Sequence, residues 1–135
     1  MSVNISADEA AIRSVLSSYE AALNASSTDA AMPLYTDDGV FMAPNNPSAV
    51  GKAALRQAYD AVFKAITLKV NFSIAELVVT SPQWAYARTN SAGTQKINTT
   101  GATSQEANQE LFIFKKGDDG KWRIARYAFS TTNPA

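Results

Sequence analysis

Residues 19–41 read YEAALNASSTDAAMPLYTDDGVF and contain the change from helix to strand that decides the fold. Apolar side chains recur at helical spacing ahead of this stretch and into it, with Tyr19 in the middle of the apolar stripe. The polar residues that follow end this helix, and Thr28 is predicted to cap a second one. Pro33 should keep that second helix short, kinked or partly 3₁₀, because proline lacks the N–H that an interior turn needs. The Asp-Asp-Gly sequence at 37–39 then predicts a turn into the first strand.

The remainder of the chain predicts one more helix and then a series of antiparallel strands. A third helix is expected to start near Gly51, and from Leu68 onward the apolar pattern changes from helical to alternating. Two predicted strands each carry a set of residues that share one face: Trp84, Tyr86, Arg88 and Asn90 on the first, and Glu106, Asn108, Glu110, Phe112 and Phe114 on the second. Helices first and strands afterwards are typical of an α+β protein. Residues 1–135 are predicted to form a single domain, because neither an internal repeat nor a linker interrupts them.

Charge and composition exclude several classes of function. Lysine plus arginine and aspartate plus glutamate both total 12, so no net charge draws the chain to nucleic acid or to an acidic membrane, and we expect neither as a partner. The absence of cysteine rules out disulfides and thiolate nucleophiles. The absence of histidine rules out a histidine base, a Ser-His-Asp triad and the commonest transition-metal ligand. We therefore expect no metal site and no cofactor.

The sequence also predicts a cytoplasmic location. Residues 1–9 read MSVNISADE, which is acidic and lacks the apolar core of a signal peptide. No apolar run approaches the ~20 residues that a membrane helix needs. The absence of cysteine fits a reducing compartment.

The sequence resembles a known family over almost its whole length. The stretch from Tyr19 to Phe41 resembles the opening of the SnoaL-like and ketosteroid isomerase-like group of the nuclear transport factor 2-like superfamily. The residues GKWRIAR at 120–126 are similar to the closing strand that is common in small SnoaL-like proteins. The resemblance implies a cone-shaped fold, in which three N-terminal helices pack on a curved, mostly antiparallel sheet and enclose a small-molecule cavity. It does not imply one reaction, because this scaffold hosts isomerases, dehydratases, cyclases, transport factors and kinase association domains.

The same resemblance supplies two catalytic candidates and removes a third. Tyr19 and Glu110 match the two groups that, in the isomerases, donate hydrogen bonds to an enolate oxygen. The general-base aspartate of the isomerases falls on Ala43, which cannot take a proton. Only Glu106 or Glu110 would remain as a base, so we expect no steroid isomerisation above the buffer rate.

Six residues are predicted to line the cavity and bind its ligand: Tyr19, Tyr59, Tyr86, Arg88, Asn108 and Glu110. Buried phenol and amide groups need polar partners, which a ligand or water supplies. Arg88 and Glu110 are predicted to meet from neighbouring strands, because a buried charge needs its opposite or a ligand. Such a pair would hold Glu110 ionised with a depressed pKa, and Arg88 would favour a ligand with a carboxylate, enol or carbonyl group. The alternative is that Tyr19 is an ordinary core residue and that Arg88 and Glu110 form a purely structural ion pair.

Three functions remain open. The leading interpretation is a protein that binds an apolar or mixed-polarity small molecule in an enclosed cavity, with no catalytic base. The second is an isomerase or cyclase that acts through Tyr19 and Glu110, and the third is an association module. We also expect a homodimer or larger homo-oligomer, because Leu111 and Ile113 make the sheet face turned away from the helices too apolar for water unless another copy covers it.

Overall fold

A computed structural model gives the architecture and describes residues 5–133. The helices are α1 (Ile5–Asn24), α2 (Thr28–Ala31), which continues into a 3₁₀ turn (Met32–Leu34), and α3 (Lys52–Ala65). The strands are β1 (Tyr35–Met42), β2 (Ala49–Val50), β3 (Ile66–Val79), β4 (Trp84–Ile97), β5 (Thr103–Lys116) and β6 (Trp122–Thr131). The first four and last two residues of the predicted domain, and with them part of the N-terminal segment used to predict location, lie outside the described residues.

The strands form one six-stranded sheet in the order β2-β1-β6-β5-β4-β3. Every neighbouring pair is antiparallel except β1 with β6, which is parallel. A register shift between Ile74 and Glu76 places a bulge in β3, and a bulge increases the local twist and bend of a strand. The predicted α+β class, with three helices on a mostly antiparallel sheet, is confirmed.

The segment between α1 and β1 follows the prediction except at its cap. Pro33 lies in the 3₁₀ turn, as expected for a residue that lacks an interior N–H. The cap is Ser27 and not Thr28, because the Ser27 Oγ accepts the N–H of Ala30 at 3.1 Å. The second helix is therefore short and partly 3₁₀, as predicted.

The prediction of a turn at 37–39 is wrong, because these residues lie within β1. The register of β1 against β6 shifts between Tyr35 and Val40, so the residues between them are accommodated as an irregularity of the strand.

Side chains of α1 complete the open edge of β3. The amide of Asn24 donates from Nδ2 to the carbonyl of Val70 at 2.9 Å and accepts the N–H of Val70 at its Oδ1 at 2.8 Å. The carboxylate of Glu20 accepts the N–H of Phe72 at 2.6 Å. The helix thus satisfies edge groups that would otherwise be free to pair with another strand.

The first turns of α1 are fixed to the far end of the sheet through Asp8. This carboxylate is buried and accepts hydrogen bonds from Trp122 Nε1 at 2.9 Å and from Lys116 Nζ at 3.2 Å. With both ends of the helix fixed, Tyr19 in its middle is held between the helix and the strands.

The core lies between the helices and the sheet face that they cover, which we call the inner face; the opposite face is the outer face. The bulkiest fully buried side chains are aromatic: Tyr19, Tyr35, Tyr59, Phe112 and Phe114. Within residues 5–133, no helix has both the length and the apolar character needed to cross a membrane.

Candidate functional site

Helices α1 and α3 and the inner face of the sheet surround a cavity of about 540 Å³, which we call the inner cavity. Most of its wall is apolar or aromatic: Leu23, Phe41, Val62, Ile66, Leu68, Val70, Phe72 and Phe129. Polar side chains line the remainder: Tyr19, Tyr59, Ser91, Gln95, Glu106, Asn108, Glu110 and Tyr127. Thr131 at the end of β6 and residues 43–46, which follow β1, complete the lining.

Buried phenols form a hydrogen-bonded cluster in the cavity wall. The hydroxyls of Tyr19 and Tyr59 are 2.5 Å apart, and those of Tyr59 and Tyr35 are 2.6 Å apart. Tyr127 packs against Tyr19, with their ring centroids 5.4 Å apart in an edge-on arrangement. Burial raises the pKa of each of these four phenols, so all of them stay protonated at neutral pH.

The proton count of this cluster leaves one donor free. A phenol has a single O–H proton, and the two hydrogen bonds that join Tyr19, Tyr59 and Tyr35 use two of the three protons. The third proton can point to a molecule in the inner cavity, which both Tyr19 and Tyr59 line. The cluster can therefore donate a hydrogen bond to a ligand oxygen without losing its internal bonds.

Glu110 lies on the inner face of β5 and is buried, with only 5% of its surface exposed. Its carboxylate accepts hydrogen bonds from Thr89 Oγ1 and Ser91 Oγ on β4, each at 2.6 Å. Burial raises the pKa of Glu110, the two hydroxyls oppose that shift, and the nearby carboxylate of Glu106 adds to it. The environment thus favours a protonated, neutral Glu110 more than water does.

Glu106 and Asn108 extend the polar part of the wall along β5. The Nδ2 of Asn108 donates to Glu106 Oε1 at 2.6 Å, and both residues line the inner cavity with Glu110. Ala43 lies in the same lining, where it offers only a methyl group. Glu106 and Glu110 are therefore the carboxyl groups of this cavity.

Four of the six predicted ligand-binding residues meet in the inner cavity, and two do not. Tyr19, Tyr59, Asn108 and Glu110 line it. The lining includes neither Tyr86 nor Arg88, whose side chains lie on the outer face of β4. Ligand binding by the first four stays a prediction.

The predicted contact between Arg88 and Glu110 is wrong. Arg88 pairs instead with Glu76 on β3, with 2.7 Å between Nε and Oε1. The register of β4 against β5 sets Thr89, not Arg88, opposite Glu110, so the guanidinium and the Glu110 carboxyl point to opposite faces of the sheet. The predicted depression of the Glu110 pKa is wrong for the same reason.

Neither the partners of Glu110 nor the hydrogen bonds that join Tyr59 to Tyr19 and Tyr35 were predicted from the sequence. Every second residue of β4 from position 85 to 91 is small and lies on the inner face: Ala85, Ala87, Thr89 and Ser91. The alternation of small and large residues on β4 was readable in the sequence, but alternation alone does not show which of the two faces is turned inward. The hydroxyl contacts of Tyr35 depend on side-chain positions that no spacing rule predicts.

A second cleft, of about 670 Å³, lies among the 3₁₀ turn, α3 and the β5–β6 hairpin. It is larger and more polar, and several of its charged groups are already paired. Lys52 Nζ donates to the carbonyls of Met32 and Tyr35 at 2.7 and 3.0 Å, and Arg123 pairs with Asp119 at 2.7 Å. Since ligand sites are mostly apolar with a few convergent polar groups, the inner cavity is the better candidate. No group of three or more acidic side chains in the described part of the chain is placed to hold a metal ion.

Comparison with known proteins identifies the family. A family model described as the SnoaL-like domain matches residues 15–125. A ketosteroid isomerase-like protein from Erwinia carotovora atroseptica SCRI1043 is 38% identical, with a TM-score of 0.89 over 93% of this chain and 96% of that one. An NTF2-like protein with a cystatin-like fold from Novosphingobium aromaticivorans DSM is 17% identical, with a TM-score of 0.75 over 97% and 86% of the two chains. A type 2 hexachlorocyclohexane dehydrochlorinase is 11% identical, with a TM-score of 0.83 over 94% and 86%.

No curated protein matches the chain. The two structures of lower identity show the fold alone, whereas the family model and the first structure show the family. The chain therefore belongs to the SnoaL-like family and has the nuclear transport factor 2-like cone fold that its sequence resembles.

Proposed function

We propose that this protein binds a small organic molecule of mixed polarity in the inner cavity. The observation that carries the proposal is the convergence of hydrogen-bonding groups from α1, α3 and β5 on one largely apolar volume. Its size of about 540 Å³ falls within the range of small-molecule sites. An apolar ligand body would fill the space beside Leu68 and Val70, and a ligand oxygen would accept the free proton of the Tyr19 and Tyr59 cluster.

The proposal differs from the sequence expectation in the ligand group that it favours. Arg88 was the reason to expect a ligand carboxylate, and Arg88 lies on the outer face beside Glu76. A neutral hydroxyl or carbonyl oxygen suits a phenol donor better than a ligand carboxylate does, because the cavity already holds the carboxyl groups of Glu106 and Glu110.

Calorimetric titration with 2-naphthol and 2-acetonaphthone tests the proposal. We expect one molecule to bind per chain and Ala43→Phe to abolish binding, because a phenyl ring at position 43 fills part of the inner cavity. Ala75→Phe is the matched control, because Ala75 is exposed on β3 away from the cavity. Loss of binding in both variants, or in neither, would show that the probes bind elsewhere, and no binding to the unaltered protein would contradict the proposal.

A second candidate is acid catalysis on a bound carbonyl compound, as an isomerase or cyclase performs it. The observation that favours it is the pair formed by a buried Glu110, whose pKa is raised by burial, and the free phenol proton, both in one cavity. Together they are suited to donate hydrogen bonds to an oxygen that gains negative charge, as in an enolate. The base that takes the carbon-bound proton would then have to be Glu106, since Glu110 serves as a hydrogen-bond donor and Ala43 has no such group.

Deuterium exchange separates the two candidates. Exchange of the methyl protons of 2-acetonaphthone in D₂O reports enolisation directly, and proton NMR measures it without a known substrate. The binding proposal predicts the buffer rate. Exchange above that rate, reduced by Tyr19→Phe and by Glu110→Gln, would favour the second candidate instead.

A further inference from the structure

The inner cavity carries acidic groups without basic ones. Two carboxyl groups, Glu106 and Glu110, line it from the same face of β5. Across residues 5–133, no lysine or arginine is part of that lining. Buried carboxyl groups are usually matched by a basic partner, and here the basic side chain on the neighbouring strand, Arg88, is on the other side of the sheet with Glu76.

Three aromatic rings stand in nearly parallel planes along the same cavity. Phe41 and Tyr127 are 5.4 Å apart between ring centroids with an interplanar angle of 6°, and Phe41 and Phe129 are 6.0 Å apart at 16°. All three line the inner cavity. The face of an aromatic ring carries partial negative charge and attracts a nearby cation. The aromatic wall and the carboxyl groups therefore favour positive charge in the same space.

We propose that the ligand of the inner cavity is an organic amine, with an apolar or aromatic body against Phe41 and Phe129 and its ammonium group beside Glu106 and Glu110. The proposal rests on the proposed binding function and names the chemical class of its ligand. An ammonium group has three N–H donors and no acceptor, and the carboxyl oxygens of β5 are acceptors. The neutral part of such a molecule can still accept the free phenol proton of the Tyr19 cluster.

Amine binding should also change the pKa of Glu110. The titratable groups that line the cavity with Glu110 are Glu106 on β5, Tyr19 on α1, Tyr59 on α3 and Tyr127 on β6. The phenols stay neutral because burial raises each pKa, so they do not offset the charge of an ionised Glu110. A bound cation would favour the ionised form of Glu110, whose pKa is raised by burial in the empty cavity. Amine binding should therefore lower the pKa of Glu110.

Three probes that share one apolar body test the proposal: 2-(2-naphthyl)ethylamine, 2-(2-naphthyl)ethanol and 2-naphthylacetate. Calorimetric titration of the full chain at neutral pH gives the affinity for each. We expect the amine to bind at least about tenfold more tightly than the alcohol, which corresponds to one favourable charge contact, and the carboxylate to bind most weakly. Titrations of the amine over a series of pH values should show its affinity fall as the pH is lowered and Glu110 takes up a proton.

Matched variants locate the charge contact. Glu106→Gln and Glu110→Gln should each reduce the affinity for the amine more than the affinity for the alcohol, and so reduce the preference for the amine. Glu106 is only partly buried, so its variant tests the proposal even if Glu110→Gln does not fold. Glu76→Gln is the control, because that carboxylate pairs with Arg88 on the outer face.

The outcomes distinguish failure of the amine proposal from failure of the proposed binding function. Equal affinity for amine and alcohol, or a preference for the carboxylate, would overturn the amine proposal and leave the binding function standing. An amine preference that survives both Gln variants would also overturn it. If none of the three probes binds, both the amine proposal and the proposed function are contradicted.

Discussion

The inner and outer faces of β4 and β5 differ in their exposure to water and in the contacts that their side chains make. On the inner face, buried Thr89 and Ser91 donate to buried Glu110, and Ala87 lies opposite Phe112. On the outer face, Arg88 meets Glu76 with 58% and 38% of their side-chain surfaces exposed. Interactions on the inner face are therefore strengthened by low polarity, whereas those on the outer face are weakened by water and salt.

This difference predicts a large contrast between two adjacent residues of β5. Phe112 is fully buried, and Leu111 next to it is 43% exposed on the outer face. We expect Phe112→Ala to lower the free energy of unfolding by about 3–5 kcal/mol, because it removes a buried ring and leaves a cavity. Leu111→Ala should cost about 0.5 kcal/mol or less in a monomer. Urea unfolding of both variants measures the contrast, and equal costs would contradict the assignment of faces.

Self-association of the chain tests whether the outer face is covered by a second copy. It carries exposed apolar groups, including Leu111 and Trp84, and we expect a second copy of the chain to cover part of it. Light scattering at micromolar concentration should report a dimer or a larger closed oligomer, and Leu111→Glu should shift the mass toward the monomer. Phe112→Ala, if it folds, should leave the oligomer mass unchanged, because the Phe112 ring faces inward. A monomer mass that does not change across a tenfold dilution series would contradict this expectation, and with it the association-module interpretation.

The order of the elements was predictable from the sequence, whereas the inward face of β4 was not. Helical and alternating spacings identified three helices and the later strands, and Pro33 limited the second helix as expected. Alternation shows that Tyr86 and Arg88 share a face but not which face is buried. The large aromatic residues of β4 suggested that the face with Tyr86 is buried, which is wrong. The space on the inner face is already filled by rings from β5 and β6, so small residues such as Ala87 are needed there.

The part of the candidate site that was predicted correctly came from the family resemblance. Tyr19 and Glu110 were placed together by that resemblance, and both line the inner cavity. Thr89 and Ser91 were not found, because their role depends on which way β4 faces. The bulge between Ile74 and Glu76, which brings Glu76 opposite Arg88, breaks the simple alternation of β3 and also has no clear signal in spacing alone.

The pH dependence of stability tests the inner face directly. The folded pKa of Glu110 is raised above its ordinary value of 4.5, chiefly by burial, so the folded state holds this proton more tightly than the unfolded chain does. Its contribution to stability is therefore fully present below the unfolded pKa and is lost as pH rises through the folded one. We expect Glu110→Gln to flatten the decline in unfolding free energy over that interval in urea titrations, whereas Glu76→Gln should not. A wild-type contribution that instead grows with rising pH would indicate a basic partner for Glu110.

The smallest expected effect lies on the outer face, between Arg88 and Glu76. Their Nε and Oε1 atoms are 2.7 Å apart, but both side chains are more than one-third exposed, so water and salt screen the attraction. A double-mutant cycle with Arg88→Ala and Glu76→Ala should give a coupling free energy of about 0.2–1 kcal/mol, reduced further in 1 M salt. A parallel cycle between Arg88 and Glu110 should give a coupling near zero, because the two side chains lie on opposite faces of the sheet. If the second coupling were the larger one, Arg88 would have to turn into the inner cavity in solution, and a basic group would then balance the two carboxyl groups on which the amine proposal depends.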